Sequence, residues 1–156
     1  MHPNAQLITD FYQGFNRQDP APMVKVYARD AEFSDPAFPN LRGDEIGDMW
    51  TMLCGRAKEF SLTFRDVQAD DHTGRAHWEA DYLFQGGRKV HNVIDATFTF
   101  RDGKVIKHVD AFDFWRWSRM ALGPPGLLLG WSGFLKQKVQ AQAGKGLREF
   151  RASKGR

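Results

Sequence analysis

In the N-terminal third of the chain the apolar positions recur at helical steps. Leu7, Ile8, Phe11 and Phe15 lie three and four residues apart, on one face of a helix predicted to run to about Asn16. Asp19 before Pro20 is an N-cap followed by proline at the first helical position, and it predicts a short second helix presenting Met23, Val24 and Tyr27. A brief strand is expected from Ala31 to Asp35. Pro36 and Pro39 break it and open a loop, after which Asp44 caps a third helix carrying Ile46, Met49, Trp50 and Leu53 on one side.

From Glu59 onward the spacing changes to alternation among β-branched and aromatic residues, the mark of strands. Turn residues divide this region. Asp70 to Gly74 makes a turn, Gly86-Gly87 suits a two-residue hairpin, and Asp102-Gly103 favours a type I′ turn. Four strands joined this tightly form an antiparallel meander. Gly123-Pro124-Pro125-Gly126 ends the sheet, and the apolar stretch of Leu127, Leu128, Leu129, Trp131, Phe134 and Leu135 follows. Three helices and then a long sheet is an α+β order, and helices across the concave face of a curved sheet leave a cavity. The expected architecture is a cone-shaped, cystatin-like α+β barrel enclosing a pocket. Residues 1–130 form the domain and residues 131–156 a basic helical extension.

The length of 156 residues fits one domain with a full core. No stretch approaches the ~20 apolar residues of a membrane span. The opening MHPNAQLITD lacks the basic and apolar regions of a secretory signal, so the expected location is cytoplasmic. Cys54 is the only cysteine and reads as a small core residue, and no His and Cys spacing supports zinc. Neither a metal nor an organic cofactor is called for. The net charge is +3, but from Trp131 onward seven Lys and Arg face only Glu149, a local +6 that leaves −3 for the rest. Such a tail can touch nucleic acid or an anionic membrane. Read as a solvated face it predicts neither partner, and it lacks the interleaved aromatics that base stacking would require.

The run Val26-Tyr27-Ala28-Arg29-Asp30-Ala31-Glu32-Phe33-Ser34-Asp35-Pro36 resembles the opening of bacterial ketosteroid isomerases, where Tyr-Ala-x-Asp-Ala leads to Asp-Pro. Phe11 to Asp19 is similar to that family's first helix, Gly43 to Trp50 to its third, Val93-Ile94-Asp95 to a later strand, and Asp102 to Val105 to its final hairpin. Asp110 to Gly123 resembles the last strand of the SnoaL-like polyketide cyclases. The chain is thus identified as a member of the SnoaL-like and ketosteroid isomerase-like group, within the nuclear transport factor 2-like superfamily. The resemblance implies a general base at Asp35 and a protonated, oxyanion-holding carboxyl at Asp95. Phe11 stands where the isomerases carry their oxyanion tyrosine, and Tyr12 points about 100° away around the helix. Steroid isomerisation is therefore not expected. Nor is the Asp-Arg-Asp pattern of limonene epoxide hydrolase matched, since Val93 stands where its arginine would be.

If Asp95 faces the cavity, alternation carries His91, Val93 and Thr97 with it and turns Asn92, Ile94 and Ala96 away. The last strand then points His108, Asp110 and Phe112 inward, and the strand after Gly74 contributes Ala76, Trp78, Ala80 and Tyr82. The predicted site joins the catalytic candidates Asp35, Asp95, Asp110 and His108 to the binding candidates Tyr27, Trp50, Trp78, Tyr82, His91 and Phe112. Carboxyl groups crowded into an apolar pocket cannot all ionise, which separates acid from base. A neighbouring imidazole can orient a carboxylate or pass its proton. Simpler readings stand beside these. Asp35 before proline is also a turn former, His91 and His108 also suit backbone-bonded surface positions, and Asp113 rivals Asp110 as the last-strand acid.

The sequence thus points to an acid–base enzyme acting on a small apolar carbonyl or epoxide compound. Asp35 would remove a proton or activate water, with Asp95 or Asp110 as acid or hydrogen-bond donor. The alternatives are a non-catalytic carrier of a small ligand and an adaptor acting through the basic tail. With Ile94, Phe98 and Phe100 assigned to the outer sheet face, a homodimer paired through the sheet is expected.

Overall fold

The computed structural model describes residues 1–154. Helix α1 (Pro3–Asn16) lies in the hollow of the sheet and buries Ile8, Phe11, Tyr12 and Phe15. Helix α2 (Pro20–Val24) begins as the Asp19-Pro20 pair dictates, with the Asp19 side chain accepting the Ala21 N–H. Strand β1 (Tyr27–Ser34) starts earlier than expected and takes in Tyr27; β2 is the short Leu41–Arg42. Helix α3 (Asp44–Arg56) is capped by Gly43 at φ 57° rather than by Asp44, which becomes its first residue. A side chain at Gly43 would meet that positive φ as strain.

Strands β3 (Lys58–Ala69), β4 (Thr73–Phe84), β5 (Arg88–Arg101) and β6 (Lys104–Ala111) form the expected meander. Asp102 (φ 51°) and Gly103 (φ 74°) turn β5 into β6 with both residues at positive φ, as a type I′ turn requires. The β4–β5 connection is a three-residue 3-10 turn, Gln85–Gly87, instead of the two-residue hairpin. Strand β3 breaks register between Lys58 and Ser61 and again between Arg65 and Gln68, with Glu59 and Asp66 at positive φ. Such bulges bend a strand, and here they fall on the strand that flanks α1.

The sheet order is β2-β1-β6-β5-β4-β3, so the sheet is open rather than a closed barrel. It is also mixed, because β1 pairs with β6 in parallel. A direct turn cannot join parallel neighbours; the chain leaves β1 and returns to its side only after passing through the meander.

Beyond Ala111 the sheet has already ended. Asp113 accepts the Arg116 N–H and caps helix α4 (Phe114–Leu122), where strand continuation to Gly123 was expected. Phe114, Trp117, Ser118 and Ala121 are its buried residues, at steps of three, four and seven. Helix α5 (Pro124–Leu129) packs on it so closely that a Cβ at Gly126 would lie 1.9 Å from the Ser118 carbonyl oxygen. Helix α6 (Gly133–Lys154) then runs back over α3. Its Leu147 is buried in the main core, and Arg151 Nε donates to Asp48 Oδ2 at 2.8 Å. Among the described residues no helix is long and apolar enough to cross a membrane.

One assignment from sequence is inverted. Trp78 sits opposite Ile94 and Ala80 opposite Asn92, while Ala96 sits opposite Asp110. Cross-strand partners share a face, so Asn92, Ile94, Ala96, Phe98 and Phe100 all point into the core, and His91, Asp95 and Thr97 point out. The outer face therefore lacks the apolar residues on which sheet-to-sheet pairing of two copies was expected.

Candidate active site

The buried end of β6 organises the site. His108 is fully buried, stacked on Phe98 at 4.3 Å between ring centroids and edged by Phe33 at 5.0 Å. Its Nε2 lies 2.9 Å from Asp110 Oδ1 and its Nδ1 lies 2.7 Å from the Tyr27 hydroxyl. That hydroxyl in turn accepts the Trp50 indole N–H at 2.9 Å. One proton arrangement satisfies every member: Trp50 donates to Tyr27, Tyr27 donates to Nδ1, and Nε2–H donates to the Asp110 carboxylate. Burial holds the Tyr27 pKa well above its ordinary value despite the Trp50 bond, and the Asp110 charge adds to this. Tyr27 therefore keeps the proton that this arrangement needs.

Asp35 follows the last residue of β1, which lies beside β6. Its Oδ1 accepts the backbone N–H groups of Ala37 at 2.7 Å and Phe38 at 2.6 Å, so it does form the turn that an Asp-Pro pair favours. Burial raises its pKa to about 7, and the nearby Asp110 charge also raises it, against the lowering effect of those two N–H bonds. A carboxyl poised there can give and take a proton near neutral pH. The turn and the titrating acid are the same side chain.

Two further groups lie in the same core. Tyr12 is completely buried, yet its hydroxyl has no hydrogen-bond partner among the described residues, and neither does Trp78 Nε1. Their ring centroids are 5.7 Å apart. Burial holds the Tyr12 pKa well above normal, with Asp110 and Tyr27 as the next causes, which places its hydroxyl within their electrostatic reach. Tyr12 was set aside in the sequence because one helical step separates it from Phe11. Both residues are nevertheless inside, since α1 is covered by the sheet on one side and neighbouring helices on another. The available signal was the run Phe11-Tyr12 with Phe15, an apolar face too wide for a helix covered on one side only.

Tyr82 and Phe112 bridge the main core and a second cluster containing Trp117. Trp117 Nε1 donates to the Tyr82 hydroxyl at 2.9 Å, and burial pushes the Tyr82 pKa to about 12, with Asp35 as a further raising charge. Trp117 was not predicted because α4 was read as strand.

Asp95 and His91 are not in this cluster. Asp95 is 76% exposed on the outer face, where it meets His77 at 2.9 Å. His77 also meets Glu79 at 2.8 Å, Glu79 meets His91 at 3.0 Å, and His91 meets Asp81 at 2.8 Å. These five groups form a carboxylate–imidazole ladder across β4 and β5, away from the core. Asp113 is the α4 cap, so Asp110 is the buried acid of the last strand. Among the described residues, no group of three or more His, Cys, Asp or Glu is arranged to hold a metal ion. A surface groove of about 220 Å³ between α1 and α2 is lined by Leu7, Gln13 and Pro22 among others and contains none of the site's groups.

Helices in the hollow of an open, bent sheet make an α+β architecture that solved NTF2-like structures share. An NTF2-like protein of unknown function from Burkholderia pseudomallei K96243 superposes with a TM-score of 0.68 at 16% identity, over 78% of this chain and 99% of that one. An LEH-like epoxide hydrolase of M. tuberculosis gives 0.65 at 17% identity, over 81% and 92%. TerC, co-crystallised with polyporic acid, gives 0.65 at 18% identity, over 76% and 98%. No curated protein matches the chain in sequence. The chain belongs to the SnoaL-like domain family, whose model matches residues 8–108.

Proposed function

We propose that this SnoaL-like protein is an acid–base enzyme that takes a small, largely apolar carbonyl or epoxide compound against Asp35. The observation that carries the reading is the pairing of a carboxyl raised to about 7 with buried donors that lack protein partners, the Tyr12 hydroxyl and Trp78 Nε1. A buried donor without an acceptor costs about 1–3 kcal/mol, and a bound oxygen relieves that cost. With a carbonyl compound, the α-carbon proton passes to the Asp35 carboxylate. The C–H electron pair moves into an enolate, whose oxygen accepts from Tyr12 and Trp78. Asp35 then returns the proton to another carbon or to the same one. With an epoxide, Asp35 takes the proton of an attacking water as the C–O bond breaks, the opening ring oxygen is held by the same donors, and the proton on Asp35 then passes to that alkoxide to complete the diol.

Asp110, bonded to His108, lies within electrostatic reach of Asp35, and Tyr27 and Trp50 set the imidazole in place. Two solved relatives by fold suit such a substrate: one is named an epoxide hydrolase and another was crystallised with polyporic acid. The test is deuterium exchange at carbon next to a carbonyl, followed by NMR over a panel of cyclic ketones and quinones, with oxygen-18 uptake from water for epoxides. Wild type is expected to accelerate one class, and Asp35→Asn to lower the rate ~10²–10⁴-fold with the fold intact. Equal rates for the two would overturn the reading and leave a ligand carrier.

A further inference from the structure

The segment where α4, α5 and α6 meet is not explained by the site. Leu127, Leu128 and Leu129 are all exposed, Leu128 at 67%, and so are Trp131 at 76% and Phe134 at 63%. Trp115 at 38% joins them, its indole N–H donating to the Leu127 carbonyl at 3.2 Å. A contiguous apolar patch of this kind on a monomer marks a binding surface.

The charge around the patch has one sign. Between Asp113 and Glu149 the chain contains no acidic residue, while Arg116, Arg119, Lys136 and Lys138 lie along the patch and are exposed. Two of these cations sit on its aromatic rings. Arg119 Cζ lies 4.1 Å from the Trp115 ring centroid, and Lys138 Nζ lies 5.5 Å from that of Phe134. Apolar and cationic atoms are thus interleaved within single contacts, so a surface meeting one meets the other.

We infer that this patch docks the protein on an anionic phospholipid surface, with Leu127, Leu128, Trp131 and Phe134 entering the headgroup–acyl boundary and the Lys and Arg heads remaining at the phosphates. Indoles favour that boundary, and long basic side chains reach back to it from inserted apolar stems. A second copy fits less well, because a twofold pairing of this face would set the same cations against each other. The sequence suggested no membrane partner, since its basic tail read as a solvated face. In the fold, exposed aromatics come from α4 (Trp115), the α5–α6 connection (Trp131) and the start of α6 (Phe134).

The test compares sedimentation of the full chain with vesicles of phosphatidylcholine alone and of equal parts phosphatidylcholine and phosphatidylglycerol. The protein is expected to sediment with the anionic vesicles, at least about tenfold more tightly than with the neutral ones, and to be released by high salt. Its tryptophan emission should shift to the blue on binding, less so in Trp131→Phe. Leu128→Ser/Trp131→Ser and Lys136→Glu/Lys138→Glu are each expected to weaken binding about tenfold or more. Because these side chains are exposed, circular dichroism and the unfolding midpoint should not change. Failure to sediment with anionic vesicles, equal binding to both kinds, or wild-type binding by both double variants would overturn the assignment. Self-association abolished by the leucine and tryptophan changes, seen by light scattering without lipid, would assign the patch to a second copy instead.

Discussion

Tyr12 and Tyr27 are both tyrosines packed against Phe11, yet loss of their hydroxyl groups should move stability in opposite directions. In Tyr12→Phe the ring keeps its stacking on Phe64 (5.5 Å) and its tilted contact with Trp78 (5.7 Å), and only an unpartnered buried hydroxyl is removed. Leaving such a group unpaired costs about 1–3 kcal/mol, so its removal should leave stability unchanged or raise it by up to about 2 kcal/mol. In Tyr27→Phe the Trp50 Nε1 donor and the His108 Nδ1 acceptor both lose their partner inside the core. Two stranded groups predict a loss of roughly 2–4 kcal/mol. For a domain of this size, each kcal/mol moves the melting temperature by ~2–4 °C, so urea titration and thermal melting both resolve the contrast. Activity should not follow stability. If the Tyr12 hydroxyl holds the developing oxyanion, Tyr12→Phe loses ~10²–10³ in turnover while gaining stability. Equal destabilisation by the two substitutions would refute the reasoning, because it would mean that the Tyr12 hydroxyl is bonded within the folded protein and is not available to a ligand.

Three other predictions follow from the ionisable groups. The folded pKa of Asp35 lies above its ordinary value of about 4, so its stabilising contribution is full below about pH 4 and is lost as pH rises to about 7. Asp35→Asn should flatten that part of the stability curve, and wild-type turnover should rise through about pH 7 as the base ionises. On the outer face, bonds to Glu79 and then Asp95 raise the His77 pKa, and bonds to Asp81, against desolvation, and to Glu79 raise that of His91. The same bonds lower the Glu79 pKa, so the ladder's contribution is full between about pH 4.5 and 6.5, lost as pH climbs through the raised histidine values and lost again as pH falls through the lowered Glu79 value. His77→Gln should remove much of this dependence, and NMR titration of the imidazole C–H signals checks it. Burial pushes the Asp48 pKa up, but the bonds and charges of Lys154 and Arg151 outweigh it, so its stabilisation is present above about pH 4 and lost as pH falls through the lowered value. Asp48→Asn should cost about 1–3 kcal/mol at neutral pH and speed amide exchange along Gly133–Lys154, read by mass spectrometry.

The sequence made the meander and the α1 face legible because alternation and three-four spacing are local properties. The inward residues of β4 and β6, Trp78 and Ala80 on one strand and His108 and Asp110 on the other, could be read in the same way. The register of β5 could not. A two-residue period leaves two choices, and the presumed match of Asp95 to a family acid selected the wrong one. The strand itself favoured the other choice: Ile94, Ala96, Phe98 and Phe100 are a better core face than His91, Val93, Asp95 and Thr97. Helix α4 was missed for a different reason. Trp115, Arg116 and Trp117 look like a strand residue by residue, and only the Asp113 cap with Phe114, Trp117 and Ala121 behind it shows the helical period. The place of α6 was not legible at all, because its contacts with Pro36 and Asp48 join residues about a hundred positions apart.

That last contact ties the C-terminal helix to the site. Gln140 of α6 donates from Nε2 to the Pro36 carbonyl at 3.0 Å, and Pro36 lies between Asp35 and the two N–H groups that fix Asp35 Oδ1. The turn that aims the carboxyl and keeps it buried is thus braced by a helix outside the group of reacting residues. Gln140→Leu keeps much of the side-chain volume and removes the bond, leaving the 35–38 turn free to move outward. A carboxyl reached by more water loses part of the burial that holds it near 7, so its pKa should fall toward the ordinary carboxylate range. The midpoint of the rising limb of the pH–rate profile should shift to lower pH. Turnover at high pH should fall as well, because a weaker base aimed less closely takes the proton more slowly. A merely structural role predicts something else, namely a lower melting temperature with the pH midpoint unchanged. An unshifted midpoint in a folded Gln140→Leu protein would therefore show that the turn holds Asp35 without help from α6, whereas a downward shift makes Gln140 a positioning residue.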